Sequence, residues 1–159
     1  MLTLWRIAKT RHADSAFTGE GARLYGGRWN SVGVRVAYAS ESIALATLEV
    51  LAGLQRSAVL TAYSLVSARI DEAGVETLVS LPAGWRKYPP SHESQMVGDR
   101  WVAERRSLAL RVPSAIIEAE SNYLLNPEHP DFGGISISAP EPFAFDARLL
   151  AAARASSGP

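Results

Sequence analysis

Three residues in the first third of the chain have side chains suited to a reaction: Arg28, Tyr38 and Glu49. Arg28 stands in a glycine-rich stretch, where little side-chain bulk obstructs an anion that approaches its forked guanidinium. Glu49 interrupts an apolar segment, and a carboxylate taken out of water without partners is costly, so it must be hydrogen-bonded or line a cavity. These residue types suit either a catalytic site or a structural Arg28–Glu49 ion pair that ties a loop to a helix.

Several familiar sites are disfavoured by residue type and spacing. The chain has no cysteine, and its three histidines, His12, His92 and His129, are far apart, so no metal site is predicted. Gly19-x-Gly21 does not continue into a dinucleotide fingerprint, because Leu24 stands where the third glycine is required. No P-loop and no G-x-S-x-G nucleophile elbow occurs, although a Ser-His-Asp triad of another kind stays open because triads assemble in space.

The composition is that of one ordinary globular domain. The chain has 159 residues, of which 47% are hydrophobic and 20% charged, and sixteen basic residues balance sixteen acidic ones. Zero net charge removes the attractive field that nonspecific nucleic-acid binding requires, so direct binding to nucleic acid is not predicted. The longest apolar run falls far short of a membrane span, and we expect a cytoplasmic protein with no membrane partner.

The periodicity of apolar residues predicts an α+β domain that carries the three residues on different elements. Predicted strands cover 2–8, 34–39, 58–70, 108–117 and 135–138, and predicted helices cover 41–54, 98–107 and 146–155. Hairpin-length gaps between several strands favour a mixed or antiparallel sheet with flanking helices. Arg28 then lies in a loop of tight turns over 17–33, Tyr38 at a strand end and Glu49 on a mostly buried helix.

Distinctive short sequence blocks occur along the chain. They are GGRWNSVG at 26–33, YAS at 38–40, ALATLEVL at 44–51, GDRW at 98–101, LRVPS at 110–114, NYLLNPEHP at 122–130 and FAFDAR at 143–148. In this order the blocks resemble RES-domain proteins, the toxin half of bacterial RES–Xre toxin–antitoxin pairs. The resemblance runs from about Trp5 to Arg148, so we expect a single RES domain over 1–150 and a C-terminal tail over 151–159 that is frayed at its end.

The resemblance implies a fold related to ADP-ribosyltransferases and an activity with NAD as substrate and without a metal. The family is named for an arginine, a glutamate and a serine, which fall on Arg28, Glu49 and Ser114, with Ser121 as the alternative serine. The implied reaction cleaves the nicotinamide–ribose bond and passes ADP-ribose to water or phosphate, or else to a host protein such as an enzyme of nucleotide synthesis. An Xre-type antitoxin is the implied partner. A non-enzymatic interaction module stays open as an alternative function. Association of the chain into a homo-oligomer also stays open.

Physical chemistry suggests a role for each residue in such a site. Glu49 would stabilise the oxocarbenium-like charge that grows on the ribose, and Arg28 would hold the pyrophosphate or the adjacent ribose. Tyr38 would offer a ring face to nicotinamide or adenine, and Ser114 would bind the ribose or orient Glu49. Further contacts with NAD are expected from Asn30, Ser121 and Asn122. In many ADP-ribosyltransferases the catalytic glutamate ends a strand, whereas Glu49 is predicted on a helix, which weakens that geometric analogy.

Overall fold

An eight-stranded sheet organises the part of the chain that a computed structural model describes, residues 1–54 and 61–155. Its strands are β1 Leu2–Lys9, β2 Ala37–Ser40, β3 Tyr63–Ile70, β4 Val75–Thr77, β5 Ala109–Pro113, β6 Ser121–Leu125, β7 Ser136–Ile137 and β8 Glu141–Phe143. Their order is β4-β5-β6-β2-β1-β3-β7, with β8 also paired to β3. Each pairing in this sheet is antiparallel except that of β4 with β5. The predicted α+β fold with a mixed sheet is confirmed.

Four α-helices flank this sheet in the described residues: α1 Glu20–Tyr25, α2 Ile43–Ala52, α3 His92–Glu104 and α4 Ala147–Ala155. The predicted helix over 41–54 is confirmed with shorter bounds, because the Ser42 side chain accepts from Leu45 N at 3.0 Å and starts α2 there. Helix α3 begins six residues before its predicted start at 98, since Ser91 caps a polar first turn that apolar periodicity does not mark.

No helix in the described ranges is long and apolar enough to cross a membrane.

Strand β6 is one of the elements that the sequence prediction missed, as are the short strands β4 and β8. A single strand was predicted over 108–117, but β5 ends at Pro113 and the chain turns back as β6. The polar residues at the start of β6 hide its alternation. This strand pairs with β5 through Pro113↔Ser121 and with β2 through Ser40↔Asn122. One end of β2, one of β5 and one of β6 therefore meet at the same place.

The glycine-rich stretch contains a helix that the loop prediction did not anticipate. Gly19 and Gly26 flank α1 with φ angles of 73° and 71°, in the left-handed region that glycine adopts without strain. The strand predicted over 34–39 begins later and ends one residue later, as β2 over Ala37–Ser40. The strand predicted over 58–70 starts at Tyr63 as β3. Its first predicted residues, and the end of the predicted tail at 156–159, lie outside the described residues.

A cluster of tryptophans fixes the segment that carries Arg28 to the core. Trp29, Trp85 and Trp101 are buried together with aliphatic residues of β5 and β6. At Gly98 in α3, an added Cβ would lie only 1.7 Å from the Trp29 carbonyl oxygen, so only glycine allows this approach of helix and loop. The backbone of the GGRWN block at Trp29 is thus in close contact with the backbone of α3 at Gly98.

Candidate active site

Glu49 is held at the meeting point of α2, β5 and β6. Its Oε1 atom accepts one hydrogen bond from Ser114 Oγ at 2.8 Å and another from Asn122 Nδ2 at 2.5 Å. Within the described residues, no side-chain nitrogen or oxygen that is closed to solvent lacks a hydrogen-bond partner, and Oε2 has no described protein partner. One carboxylate oxygen is therefore fixed by the protein, while the other faces open space.

Both donors to Glu49 are themselves oriented. Ser114 is fully buried, and its Oγ accepts from the backbone N–H groups of Ile116 and Ile117 at 3.0 and 3.1 Å. Asn122 accepts from Ser40 Oγ through its Oδ1 at 2.7 Å, so its amide nitrogen points to Glu49. Ser114 therefore orients Glu49 and is shielded from a ligand. The contact with Glu49 is the one expected of that serine, and its role in catalysis stays a prediction.

The alternative serine and a second asparagine lie in other networks. Ser121 Oγ accepts from Arg111 Nε at 2.8 Å and does not bond to Glu49. Asn126 is buried and donates to the Val102 carbonyl oxygen at 3.2 Å, as a structural asparagine would. Of the two candidate serines, the structure brings Ser114 to the glutamate.

Tyr38 presents its ring while its hydroxyl is tied down. The hydroxyl donates to Asn30 Oδ1 at 2.7 Å and accepts from Trp29 N at 3.0 Å. Burial raises the pKa of this hydroxyl above its ordinary value, and the hydrogen bond from the Trp29 N–H lowers the pKa by less. Tyr38 is therefore a neutral phenol that offers a ring face. At Gly27 an added Cβ would lie 2.7 Å from the Tyr38 hydroxyl oxygen, which explains a glycine in the GGRWN block.

Asn30 supports Tyr38 from beneath. It is fully buried, and its Nδ2 lies within hydrogen-bond distance of the carbonyl oxygens of Ala22, Ser31 and Val34. Its Oδ1 accepts from Tyr38, so both polar ends of the amide are bonded to protein. This placement therefore does not favour the direct contact between Asn30 and NAD that was expected from the sequence. The residue orients the tyrosine.

Arg28 anchors a neighbouring loop. Its Nη1 donates to the carbonyl oxygens of Trp85 and Lys87 at 2.6 and 2.8 Å, and the Trp85 ring stacks on Trp29 with centroids 6.0 Å apart. Among the described residues Arg28 forms no ion pair with Glu49, so the structural pair that residue types alone left open is not formed. The guanidinium nitrogens other than Nη1 have no described protein acceptor and can meet an anion.

Two cavities adjoin Glu49. One, of about 240 Å³, is lined by Arg28, Tyr38, Glu49, Tyr88 and Asn122 together with apolar residues. The other, of about 200 Å³, shares Tyr38, Glu49 and Asn122 with the first. The glutamate thus stands between two open spaces, and the predicted residues Arg28, Tyr38, Glu49 and Asn122 all line the larger one.

Arg6 lines the second cavity and was missed by the sequence reasoning. Its Nη1 donates to the Tyr38 carbonyl oxygen at 2.9 Å, and no ion pair joins it to a carboxylate in the described part of the chain. Burial lowers the pKa of its guanidinium, which nevertheless stays charged. The sequence contains a signal that could have identified Arg6, because this charged residue interrupts an apolar strand as Glu49 interrupts an apolar helix. The second cavity is thus lined by a cation, Arg6, as well as by the Glu49 carboxylate.

This geometry can be compared with known proteins. A family model described as the RES domain matches residues 3–146, nearly the whole chain. The chain belongs to the RES-domain family. Among curated RES relatives, "Toxin Res" of Yersinia enterocolitica is 38% identical over 151 residues, which cover 93% of this chain and 99% of the relative. The "Prs ADP-ribosylating toxin" of Sphingobium is 37% identical over 156 residues, covering 93% of this chain and 96% of the relative.

A solved structure shares the RES fold. A chain of the M. tuberculosis MbcT–MbcA toxin–antitoxin complex matches with a TM-score of 0.75 at 21% identity, covering 97% of this chain and 89% of that chain. The family resemblance of the sequence blocks and the expected fold are confirmed. No group of three or more metal-ligating side chains occurs within residues 1–54 and 61–155.

Proposed function

We propose that this RES-family chain is a toxin that consumes NAD by cleaving the bond between nicotinamide and ribose, with water or phosphate as the acceptor of ADP-ribose. The observation that carries the proposal is the Glu49 carboxylate, which is fixed through Oε1 and open to a cavity through Oε2. A preorganised carboxylate of this kind stabilises positive charge that develops only in the transition state.

The chemistry needs few groups. As the C–N bond breaks, its electron pair leaves with the cationic nicotinamide, which becomes neutral and requires no general acid. Positive charge then spreads over the ribose, as in glycoside cleavage, where Glu49 stabilises it. The acceptor oxygen forms the new bond to the ribose carbon. An attacking water releases its proton to solvent, whereas a dianionic phosphate has no proton that must leave.

The two arginines beside the glutamate fit the charge of the substrate. NAD carries a pyrophosphate, and a guanidinium matches phosphate oxygens in bidentate geometry. Arg28 keeps free donors on the larger cavity, and Arg6 has one described hydrogen bond on the smaller. Tyr38 lines both cavities and supplies the ring face for a planar base. These contacts position the dinucleotide across Glu49.

A second candidate keeps the bond cleavage and changes the acceptor to a protein. It is favoured by the Sphingobium relative, whose name describes ADP-ribosylation of Prs. In this version the acceptor side chain replaces water or phosphate at the ribose carbon, and Glu49 keeps its role. The two versions predict different products from the same substrate.

The test compares the parent chain with Glu49→Gln, which removes the negative charge while keeping the shape of the side chain. Glu118→Gln, at an exposed carboxylate paired with Arg86, is the matched control. Each is incubated with NAD, with and without phosphate, and the products are followed by mass spectrometry. Turnover by the parent and the control but not by Glu49→Gln supports the proposal, and a phosphate-dependent product names that acceptor.

A parallel incubation with labelled NAD and cell lysate decides between the acceptors. A discrete labelled protein band that requires Glu49 supports the protein acceptor, while free ADP-ribose or its phosphate supports degradation. Intact NAD in every incubation, lysate included, would refute both and return the chain to the interaction-module alternative.

The toxin assignment includes a neutralising partner in the cytoplasm. The structural relative from M. tuberculosis was solved as a toxin–antitoxin complex, and we extend that relation to this chain with an Xre-type antitoxin. Co-expression of the antitoxin encoded beside this chain is expected to restore growth. Growth inhibition that Glu49→Gln retains would contradict an enzymatic cause.

A further inference from the structure

We propose that Tyr88 is a substrate-binding residue that stacks its ring on a planar ring of the dinucleotide at the mouth of the larger cavity. The inference rests on the proposed use of NAD and adds a residue that neither the sequence blocks nor the hydrogen-bond network of Glu49 identified. Tyr88 lines the same cavity as Glu49 and Arg28. It is nevertheless 89% exposed, an unusual position for a large aromatic side chain.

The residues immediately before Tyr88 are firmly held. Trp85 is buried and stacked on Trp29, and its carbonyl oxygen and that of Lys87 both accept from Arg28. The intervening Arg86 donates to the Ala115 carbonyl oxygen at 3.1 Å through Nη2 and pairs with a surface carboxylate through Nη1. Three consecutive residues are thus tied to other parts of the fold.

Tyr88 is the exception in this segment. Within the described residues its side chain has no hydrogen bond, ion pair or ring contact. A rigid segment therefore presents an unpacked ring at the rim of a cavity. Rigidity of this kind reduces the entropy lost when a ligand binds. Arg28 then acts on the substrate in two ways, through its free donors and by holding the segment that ends at Tyr88.

The chemistry of the cavity selects the class of group that would stack. NAD contains two planar rings, adenine and a cationic nicotinamide. An aromatic side chain stacks on either ring, and it attracts the cationic one further through its π face. Both rings present the same stacking chemistry to Tyr88, and the experiment separates them.

The experiment compares the parent chain with Tyr88→Ala and Tyr88→Phe, and uses Tyr25→Ala as the matched control. Tyr25 is 83% exposed on α1 and does not line the cavity. Loss of one base–aromatic stacking contact predicts a KM for NAD about tenfold higher in Tyr88→Ala, with kcat nearly unchanged. Tyr88→Phe keeps the ring and is expected to retain the parent KM, as is Tyr25→Ala. Circular dichroism confirms that each variant is folded.

Binding measurements identify the ring and keep this proposal separate from the proposed reaction. Calorimetric titrations use ADP-ribose, which lacks nicotinamide, and nicotinamide mononucleotide, which lacks adenine. Weaker binding of ADP-ribose alone to Tyr88→Ala assigns adenine, and weaker binding of the mononucleotide alone assigns nicotinamide.

Three outcomes decide the proposal. A parent that binds these ligands through Tyr88 without turning over NAD leaves the stacking role intact and refutes only the reaction. A parent that turns over NAD while Tyr88→Ala keeps the parent KM and affinities overturns the stacking role alone, and a loss of antitoxin binding in that variant would then place Tyr88 in a protein interface. A parent that binds none of the three ligands overturns both.

Discussion

Replacing Ser114 with alanine tests the geometry of the site most directly. The Oγ atom donates to Glu49 and accepts from two backbone N–H groups, and the side chain is fully buried, so bulk water does not replace these bonds. A buried polar group that loses its partner costs about 1–3 kcal/mol, and the two N–H groups lose their acceptor together. We expect Ser114→Ala to lower the free energy of unfolding by about 2–4 kcal/mol.

The matched control is Ser121→Ala, which removes the alternative serine. Ser121 Oγ has one described side-chain bond, from Arg111, so its loss predicts about 1 kcal/mol. Urea denaturation of both variants measures these free energies. The NAD turnover number is expected to fall about 100-fold in Ser114→Ala, because a misplaced reacting group costs roughly that factor, and to stay near the parent value in Ser121→Ala.

A double-mutant cycle with Glu49→Gln then isolates the Ser114–Glu49 contact. Hydrogen bonds to charged groups contribute about 1.5–3 kcal/mol, and the cycle should give a coupling free energy of that order. Equal effects of the two serine variants on turnover, or a coupling free energy near zero, would refute the argument that Ser114 acts by orienting the glutamate.

The remaining predictions concern the groups around Tyr38 and the second cavity. Gly27→Ala is expected to lower the free energy of unfolding by about 1–3 kcal/mol, because its Cβ would break the hydrogen bond from Tyr38 to the fully buried Asn30. Gly21→Ala, with open space around its Cβ on helix α1, should stabilise the fold by about 0.5–1 kcal/mol in the same denaturation assay. Since the pKa of Tyr38 is raised in the folded state, its contribution to stability is complete below about pH 10, the ordinary tyrosine pKa, and declines above it, so Tyr38→Phe should flatten the alkaline loss of stability. Arg6→Ala should weaken titrated binding of pyrophosphate about tenfold while Lys9→Ala, on the same strand but outside the cavity, leaves it unchanged; equal affinities would contradict an anion-binding role.

The position of Glu49 could be predicted from sequence because the evidence was local. A serine cap, good helix formers and a glycine end mark α2 within a few residues of its observed bounds. The same is true of the alternating residues of β1. Elements whose signals lie in short-range periodicity were recognised, and so was the carboxylate that breaks the apolar pattern.

The partners of the site residues could not be predicted in this way. The carbonyl oxygens that Arg28 binds are 57 and 59 positions away, and only the assembled fold brings them together. The sequence prediction missed strand β6 because its first residues are polar. One of them, Asn122, donates a hydrogen bond to Glu49, which requires a polar side chain there. Sequence periodicity indicates which residues are buried against the core. It therefore does not reveal a strand whose end carries polar residues of a reactive site.

The origin of the two donors to Glu49 has a consequence for synthesis of the chain on the ribosome. Ser114 and Asn122 follow the glutamate by 65 and 73 positions, so they emerge long after α2 has been translated. A nascent or truncated chain that ends before Ser114 contains the carboxylate but neither of the two side chains that donate to it. The proposed toxic activity therefore cannot begin before Asn122 has been translated. For the toxin proposed above, the time needed to translate the 73 positions from Glu49 to Asn122 is an interval in which the proposed antitoxin can be supplied before the first active molecule exists.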